Sequence, residues 1–207
     1  MLFSITDIEH HIDSHCIIDK LSLNVSEGQH LLLLGPSGCG KTTLMNIMAG
    51  LLKPTSGDIS YHDNRYSLLS DKNKDQLRAE NFGFIFQRMH LIKYLTVEKN
   101  IALAQRKPAP IRTQELIKDL GLCDKEKQKA HKLSVGEAQR VAIARAVANN
   151  PNVIFADEPT SALDDKNAEK VMNLILDQAQ KTNATIIAAT HDARIKPHFK
   201  TVLEMAE

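Results

Sequence analysis

The chain has 207 residues, with 26 basic and 25 acidic side chains and a formal net charge of +1, so no broad field draws it toward nucleic acid or an acidic membrane. The two signs are interspersed rather than blocked, which argues against a nucleic-acid partner. No apolar run approaches the roughly 20 residues of a spanning helix. The start, Met1 to Asp7, has neither the basic opening nor the apolar centre of a signal peptide. Three cysteines (Cys16, Cys39, Cys123), odd in number and widely spaced, fit a reducing compartment. No C-x-x-C pair occurs, and the nine histidines show no zinc-like spacing, so no transition-metal site is expected. These features predict a soluble, intracellular protein with one well-filled core and room for a small subdomain.

In chain order, Leu31 to Leu34 is a continuous aliphatic run, as expected of a strand buried on both faces. Lys41 to Leu51 reads as a helix, with Leu44, Ile47, Met48 and Leu51 at helical spacing. Strands are predicted over 57–61 and 82–86. From Gln87 to Leu133 the texture becomes helical, broken by Pro108, Pro110 and Gly121, which predicts a small helical subdomain inserted into a sheet domain. A long helix is predicted over 134–149: Ser134 can cap it, Glu137 holds the third position, and Pro151 follows its end. Strands at 152–157 and 185–190 complete an alternating pattern, the mark of an α/β fold with a mostly parallel sheet.

The segment Gly35-Pro36-Ser37-Gly38-Cys39-Gly40-Lys41-Thr42 fits the phosphate loop G-x-x-x-x-G-K-[ST]. Its glycines let backbone N–H groups turn inward, and the following helix offers the positive end of its dipole to phosphate oxygens. Lys41 is expected to reach the β- and γ-phosphates of a nucleotide, Thr42 to offer a hydroxyl to Mg²⁺, and Thr43 to bond the α-phosphate. For Cys39 two readings stand: a small filler residue, or a thiol made reactive by the helix N-terminus.

Val153-Ile154-Phe155-Ala156-Asp157-Glu158 is an apolar strand ending in two acids. Adjacent carboxylates at the end of a buried strand are costly unless a cation or positioned water meets them. Strand alternation predicts that the two point to opposite sides and differ in role. Asp157 is expected to hold the Mg²⁺ shell, and Glu158 to polarise the water that attacks the γ-phosphate.

Leu133-Ser134-Val135-Gly136-Glu137, running on through Ala138-Gln139-Arg140-Val141-Ala142-Ile143-Ala144-Arg145-Ala146, resembles the signature loop of ATP-binding cassette (ABC) ATPases. The resemblance covers essentially the whole chain. It implies one domain over 1–207 with a P-loop NTPase (RecA-like) core, an N-terminal antiparallel β portion and an inserted α-helical subdomain. The core is then 1–87 and 151–207, and the helical subdomain with the signature is 88–150. By the same resemblance, Gln87 is the glutamine that touches Mg²⁺ and the attacking water. Ser161-Ala162-Leu163-Asp164 is the D-loop, and His191 is the switch histidine that contacts the γ-phosphate. Read without the family, Gln87 is a polar strand-end residue and His191 a satisfied loop histidine.

The resemblance further implies ATP and Mg²⁺ as ligands and a homodimer that pairs head to tail. Ser134, Gly136, Glu137 and Asp164 of one copy then complete the nucleotide site of the other. Family members pair with a separate transmembrane permease, which would place the chain on the cytoplasmic face of the cell membrane. The best match within the family is to compact bacterial ATPases of the lipoprotein-release and macrolide-efflux type, through Phe84-Ile85-Phe86-Gln87 and Leu95-Thr96-Val97-Glu98-Lys99-Asn100-Ile101. Met89, Leu91, Ile92, Tyr94 and Leu95 are then expected to form the permease groove.

Three positions depart from the family pattern. Val135 stands where a glycine is common, Glu137 replaces a glutamine, and no aromatic ring is available near His11 or Ile12 to stack on adenine, leaving His11 as the candidate. The alternative functional reading is a soluble ABC-type ATPase or an ATP-dependent regulatory module without a transport role.

Overall fold

The computed structural model describes residues 1–161 and 163–206; Ala162 of the expected D-loop lies outside them. The chain begins with β1 (Phe3–Ile12) and β2 (His15–Val25), then β3 (Leu31–Leu34) and α1 (Lys41–Met48). It continues through β4 (Ser56–Tyr61), β5 (Asn64–Arg65), α2 (Asp71–Asn81) and β6 (Phe82–Ile85). Three helices follow, α3 (Val97–Ala102), α4 (Pro110–Asp119) and α5 (Val135–Val147), before β7 (Val153–Asp157). The last elements are α6 (Asp165–Thr182), β8 (Thr185–Thr190) and β9 (Thr201–Glu204).

The strands form two sheets. One is antiparallel with order β2-β1-β4-β5, and the other has order β6-β7-β8-β3-β9 with every pairing parallel. The parallel strands read as unbroken apolar runs because both of their faces are covered. Leu32, Ile154, Ala156, Ile186 and Ala188 face a core closed by α3, α4, α5 and α6. Their neighbours Leu31, Leu33, Phe155, Ile187 and Ala189 face the opposite core, closed by α1 and by Phe3, Ile5, Ile8 and Ile59 of the antiparallel sheet. One sheet thus serves two cores through the two-residue period of the strand.

The α/β class, the parallel sheet and the antiparallel β portion agree with the sequence reading. The helix expected to run to Leu51 stops at Met48 instead. Gly50 adopts φ 66°, its N–H donates to Ile47 (3.0 Å), and Leu51 N–H donates to Asn46 (2.9 Å), the paired bonds of a Schellman stop. The strand expected to reach Phe86 ends at Ile85. The short β9 gives no sequence signal, yet it pairs with β3 along its whole length.

Phe155 sits at the centre of the second core, fully buried, with ring centroids 5.2 Å from Phe82, 5.4 Å from Phe84 and 6.2 Å from Phe3. Its strand carries the two acids, so this cluster fixes where they emerge. Truncating such a ring leaves a cavity that rigid strands cannot refill, and Phe155→Ala is expected to cost about 3–5 kcal/mol. Urea denaturation should show a lower midpoint with an unchanged slope.

Candidate functional site

Strand β3 ends at Leu34, and the loop 35–40 turns the chain into α1 directly above the sheet. Gly40 precedes the helix at φ 93°, and a Cβ there would lie 2.9 Å from the carbonyl oxygen of Ile17 on β2. A side chain at this position would therefore be strained twice. From the other side, Met205 donates its N–H to Leu34 (2.8 Å) and brings its carbonyl against Gly35. Lys41 is only 6% exposed, and its ammonium donates to the carbonyls of Gly35 (2.8 Å) and Pro36 (2.6 Å) within its own loop. Cys39 is 7% exposed, with Sγ tucked under Gly35, which fits the filler reading.

The two acids do not alternate across the strand as expected. Strand β7 ends at Asp157, and Glu158 takes a left-handed backbone (φ 47°) secured by its N–H bond to Ala189 (2.8 Å). A non-glycine residue held there stores about 1–3 kcal/mol of strain, a feature that clusters at functional sites. The twist brings both carboxylates to one cleft, with different partners. Asp157 accepts from the Thr42 hydroxyl (3.1 Å), and burial pushes its carboxyl up, partly offset by that bond. Glu158 accepts from the Thr190 hydroxyl (2.7 Å) and from the His191 N–H (3.2 Å), and its other close contact is His191 Nδ1 (2.9 Å).

This cleft, of about 270 Å³, brings together most of the expected site. Ser37, Gly38, Gly40, Lys41, Thr42 and Thr43 form one wall, and Gln87, Asp157, Glu158 and His191 the other. Oxygen donors dominate around Thr42 and Asp157, a set suited to Mg²⁺, which usually takes one or two protein ligands and completes its shell with phosphate and water. Among the described residues no cluster of three or more His, Cys, Asp or Glu could hold a metal unaided.

Ser134, Gly136, Glu137 and Asp164 do not line this cleft. Ser134 caps α5 in a full capping box: its hydroxyl accepts from the Glu137 N–H (3.3 Å), and its own N–H donates to the Glu137 carboxylate (2.8 Å). That backbone bond holds the Glu137 carboxyl below its usual range. Val135 starts the helix in ordinary helical conformation and is 65% exposed, so valine carries no backbone strain there. Asp164 caps α6 through the Asn167 N–H (2.9 Å). His11 lies exposed on β1, with its N–H bonded to Thr55 (3.0 Å), and does not border the cleft.

The motifs match known proteins as a set. The family model for ABC transporters matches residues 18–161, more than half of the chain. The chain belongs to the ABC transporter family. It is 39% identical to an uncharacterized ABC transporter ATP-binding protein of Methanocaldococcus jannaschii, over 92% of this chain and 87% of that one. It is 42% identical to the macrolide export ATP-binding/permease protein MacB of Shigella flexneri, matching 92% of this chain but 30% of that longer protein. Among solved structures, the dimeric bacterial ABC transporter cassette MJ0796 superimposes with a TM-score of 0.88 at 32% identity, covering 99% of this chain and 94% of that one. A post-hydrolysis dimer of the same cassette bound to ADP and Pi gives 0.87. These relatives agree with the lipoprotein-release and macrolide-efflux resemblance, and the chain is an ABC-type ATPase.

Several residues support this site without a role of their own in the motifs. Thr190 supplies the hydroxyl that holds Glu158, and Gln139 anchors the following loop through Pro159 (2.7 Å). Asp192 is 8% exposed and pairs with Arg194 and Thr160. Its place next to His191 is its only sequence signal.

Hydrogen bonds from the Arg194 guanidinium hold the Asp192 carboxyl down to about 2, with Thr160 adding to the effect. A lowered folded pKa stabilises the protein above the unfolded value, and that stability is lost as pH falls through the folded one. The denaturation midpoint of wild type should therefore exceed that of Asp192→Asn from neutral pH down to about 4, and the two should converge toward pH 2. A constant gap across that range would contradict the assignment.

Proposed function

We propose that this chain is the ATP-hydrolysing subunit of an ABC transporter or mechanotransmission complex. Two copies close head to tail around two ATP molecules and drive a separate membrane permease from its cytoplasmic face. The observation that carries this reading is the convergence of Lys41, Thr42, Gln87, Asp157, Glu158 and His191 on one cleft, with Ser134 and Gly136 standing outside it. A signature helix unable to serve its own phosphate loop is suited to serve a partner's. Among the described residues no helix is long and apolar enough to cross a membrane.

The chain's own groups supply the chemistry. The loop N–H groups and the α1 N-terminus bind phosphate oxygens, and Lys41 moves its ammonium from the loop carbonyls to the transferring group. Thr42 and Asp157 would hold Mg²⁺, whose charge offsets that developing on the phosphate oxygens. Glu158, fixed by Thr190 and His191, accepts a hydrogen bond from water and orients its oxygen toward the γ-phosphorus. The water oxygen bonds to that phosphorus as the bond to the bridging oxygen breaks, ADP takes the electron pair, and the water's proton passes toward Glu158 or a phosphate oxygen. His191, half exposed beside Glu158, stands where it can touch the γ-phosphate.

For the permease, a cleft of about 560 Å³ opens between β6 and α5, bordered by Leu51, Phe86, His90, Ala104, Arg106 and Arg145. Arg145 donates to the carbonyls of Met89 (2.6 Å) and His90 (2.7 Å), tying the segment after Gln87 to the signature helix. Of the residues expected to form the groove, Tyr94 is 80% exposed and Ile92 is also exposed, whereas Leu91 packs onto the core. We place the permease contact on the cleft and on Ile92 and Tyr94 beside it.

The test is the solution mass and turnover of Glu158→Gln. Losing a positioned base should lower turnover by about 10²–10⁴-fold. With hydrolysis blocked, MgATP should convert monomer to dimer in light scattering, and ADP should not. Wild-type protein that binds ATP and dimerises without turnover would instead favour a regulatory module.

A further inference from the structure

We propose that Asp192 and Arg194 are positioning residues for hydrolysis: as one forked ion pair they lock the loop after Glu158 onto the end of β8 that carries His191. The inference rests on the ATPase reading above and adds to it a device that no signature motif includes.

The pair lies just past β8, with Arg194 in a short helical turn (Ala193–His198). Its guanidinium donates twice to one carboxylate, Nε to Asp192 Oδ1 (2.7 Å) and Nη2 to Oδ2 (2.7 Å). The same group reaches across to the loop, where Nη2 donates to the Leu163 carbonyl (3.1 Å) and Nη1 to the Asp165 carboxylate. Asp192 holds the other end of that loop, since Oδ2 accepts from the buried Thr160 hydroxyl (2.9 Å). Thr160, just before the expected D-loop, and Leu163, within it, are therefore fastened to one ion pair.

The pair also reaches Glu158 by two routes. Through the chain, Glu158 is two residues from Thr160, and the Ser161 hydroxyl donates to the Glu158 carbonyl (3.3 Å). Toward the carboxylate, the Asp192 backbone N–H donates to the Thr190 hydroxyl (3.0 Å), which donates to the Glu158 carboxylate (2.7 Å). Backbone and carboxylate of the same residue are thus referenced to one anchor.

A purely structural purpose accounts poorly for this arrangement. The start of α6 is already capped by Asp164, and the Arg194–Asp165 contact is exposed, a kind of pair that contributes little to stability. Burying the Asp192 carboxylate is costly unless it is forked and bonded as it is here. The pair sits against the loop that joins the strained Glu158 to the segment facing a second copy in the proposed dimer. Arginine is the residue for the task, because lysine cannot bridge two carboxylate oxygens and a carbonyl with one planar group.

The experiment measures steady-state ATP hydrolysis and MgATP binding for wild type, Arg194→Gln, Arg194→Lys, Thr160→Val and the double variant Arg194→Gln/Thr160→Val. We expect Arg194→Gln to lower kcat at least tenfold while KM and the ATP dissociation constant stay within twofold, since the phosphate loop is untouched. Arg194→Lys should recover only part of the loss. Thr160→Val should lower kcat on its own, and the double variant should fall short of the product of the single effects, as for residues acting through one anchor. Should Arg194→Gln fail to fold, Thr160→Val, which keeps the shape of the side chain, carries the same test. Wild-type turnover with unchanged kcat in the folded variants would overturn this inference alone. Folded wild type that binds ATP without hydrolysing it would overturn the ATPase reading and this inference with it.

Discussion

The parallel register of three strands is the constraint on which the site depends. Leu34 lies opposite Thr190, and Asp157 opposite Ala189, so β3, β8 and β7 end level with one another. The glycine-rich loop, His191 and the two acids leave the sheet at those three ends, and their meeting follows from backbone pairing alone. Ligands of open parallel sheets characteristically bind at the carboxyl edge, where loops leave in different directions. The register in turn is held by alternating burial: a slip of one residue would exchange Leu32, Ile154 and Ile186 with Leu31, Phe155 and Ile187 and misplace both cores at once.

Against that rigid frame, the site itself is tense. Glu158 stands in a left-handed conformation, Asp157 is a half-buried carboxyl pushed toward its neutral form, and Lys41 lies buried against carbonyls. Each is costly alone, and each is eased by a neighbour from another element: Thr190 for Glu158, Thr42 for Asp157, and the loop carbonyls for Lys41. The Thr42 hydroxyl and the loop carbonyls would have to give way, or share, when a phosphate and a cation arrive, while Thr190 keeps hold of Glu158. Preorganised polar groups of this kind favour a charged transition state because they need little rearrangement at the moment of reaction.

What was legible in the sequence was what the chain encodes locally. The phosphate loop is one contiguous turn, the Ser134 capping box spans four residues, and the aliphatic run at 31–34 reports its own burial; all three reappear in the structure. What escaped depends on distant partners or on single backbone angles. The orientation of Glu158 follows from one positive φ that no strand pattern contains. Ile17 and Met205 close over the phosphate loop from β2 and from beyond β9, far away in the chain. The ion pair of Asp192 and Arg194 is two residues apart in sequence, yet its purpose lies with Thr160 and Leu163.

The head-to-tail reading raises an electrostatic objection that the geometry answers. Glu137 brings a carboxylate to the N-terminus of α5, where a partner's γ-phosphate is proposed to sit, and like charges there would repel. Lys125 stands 3.6 Å from the other oxygen of that carboxylate and offsets its charge. Within the capping box the Ser134 hydroxyl accepts from the Glu137 N–H, and its own proton, shared with the Glu137 carboxylate, can rotate outward to a phosphate oxygen. Val135, helical and exposed, leaves the Gly136 N–H in regular helical orientation, unpaired within the first turn like every early amide of a helix. Glutamate in place of glutamine therefore tightens the cap without removing the donors that an anion needs, and its charge is met by a lysine from the same subdomain.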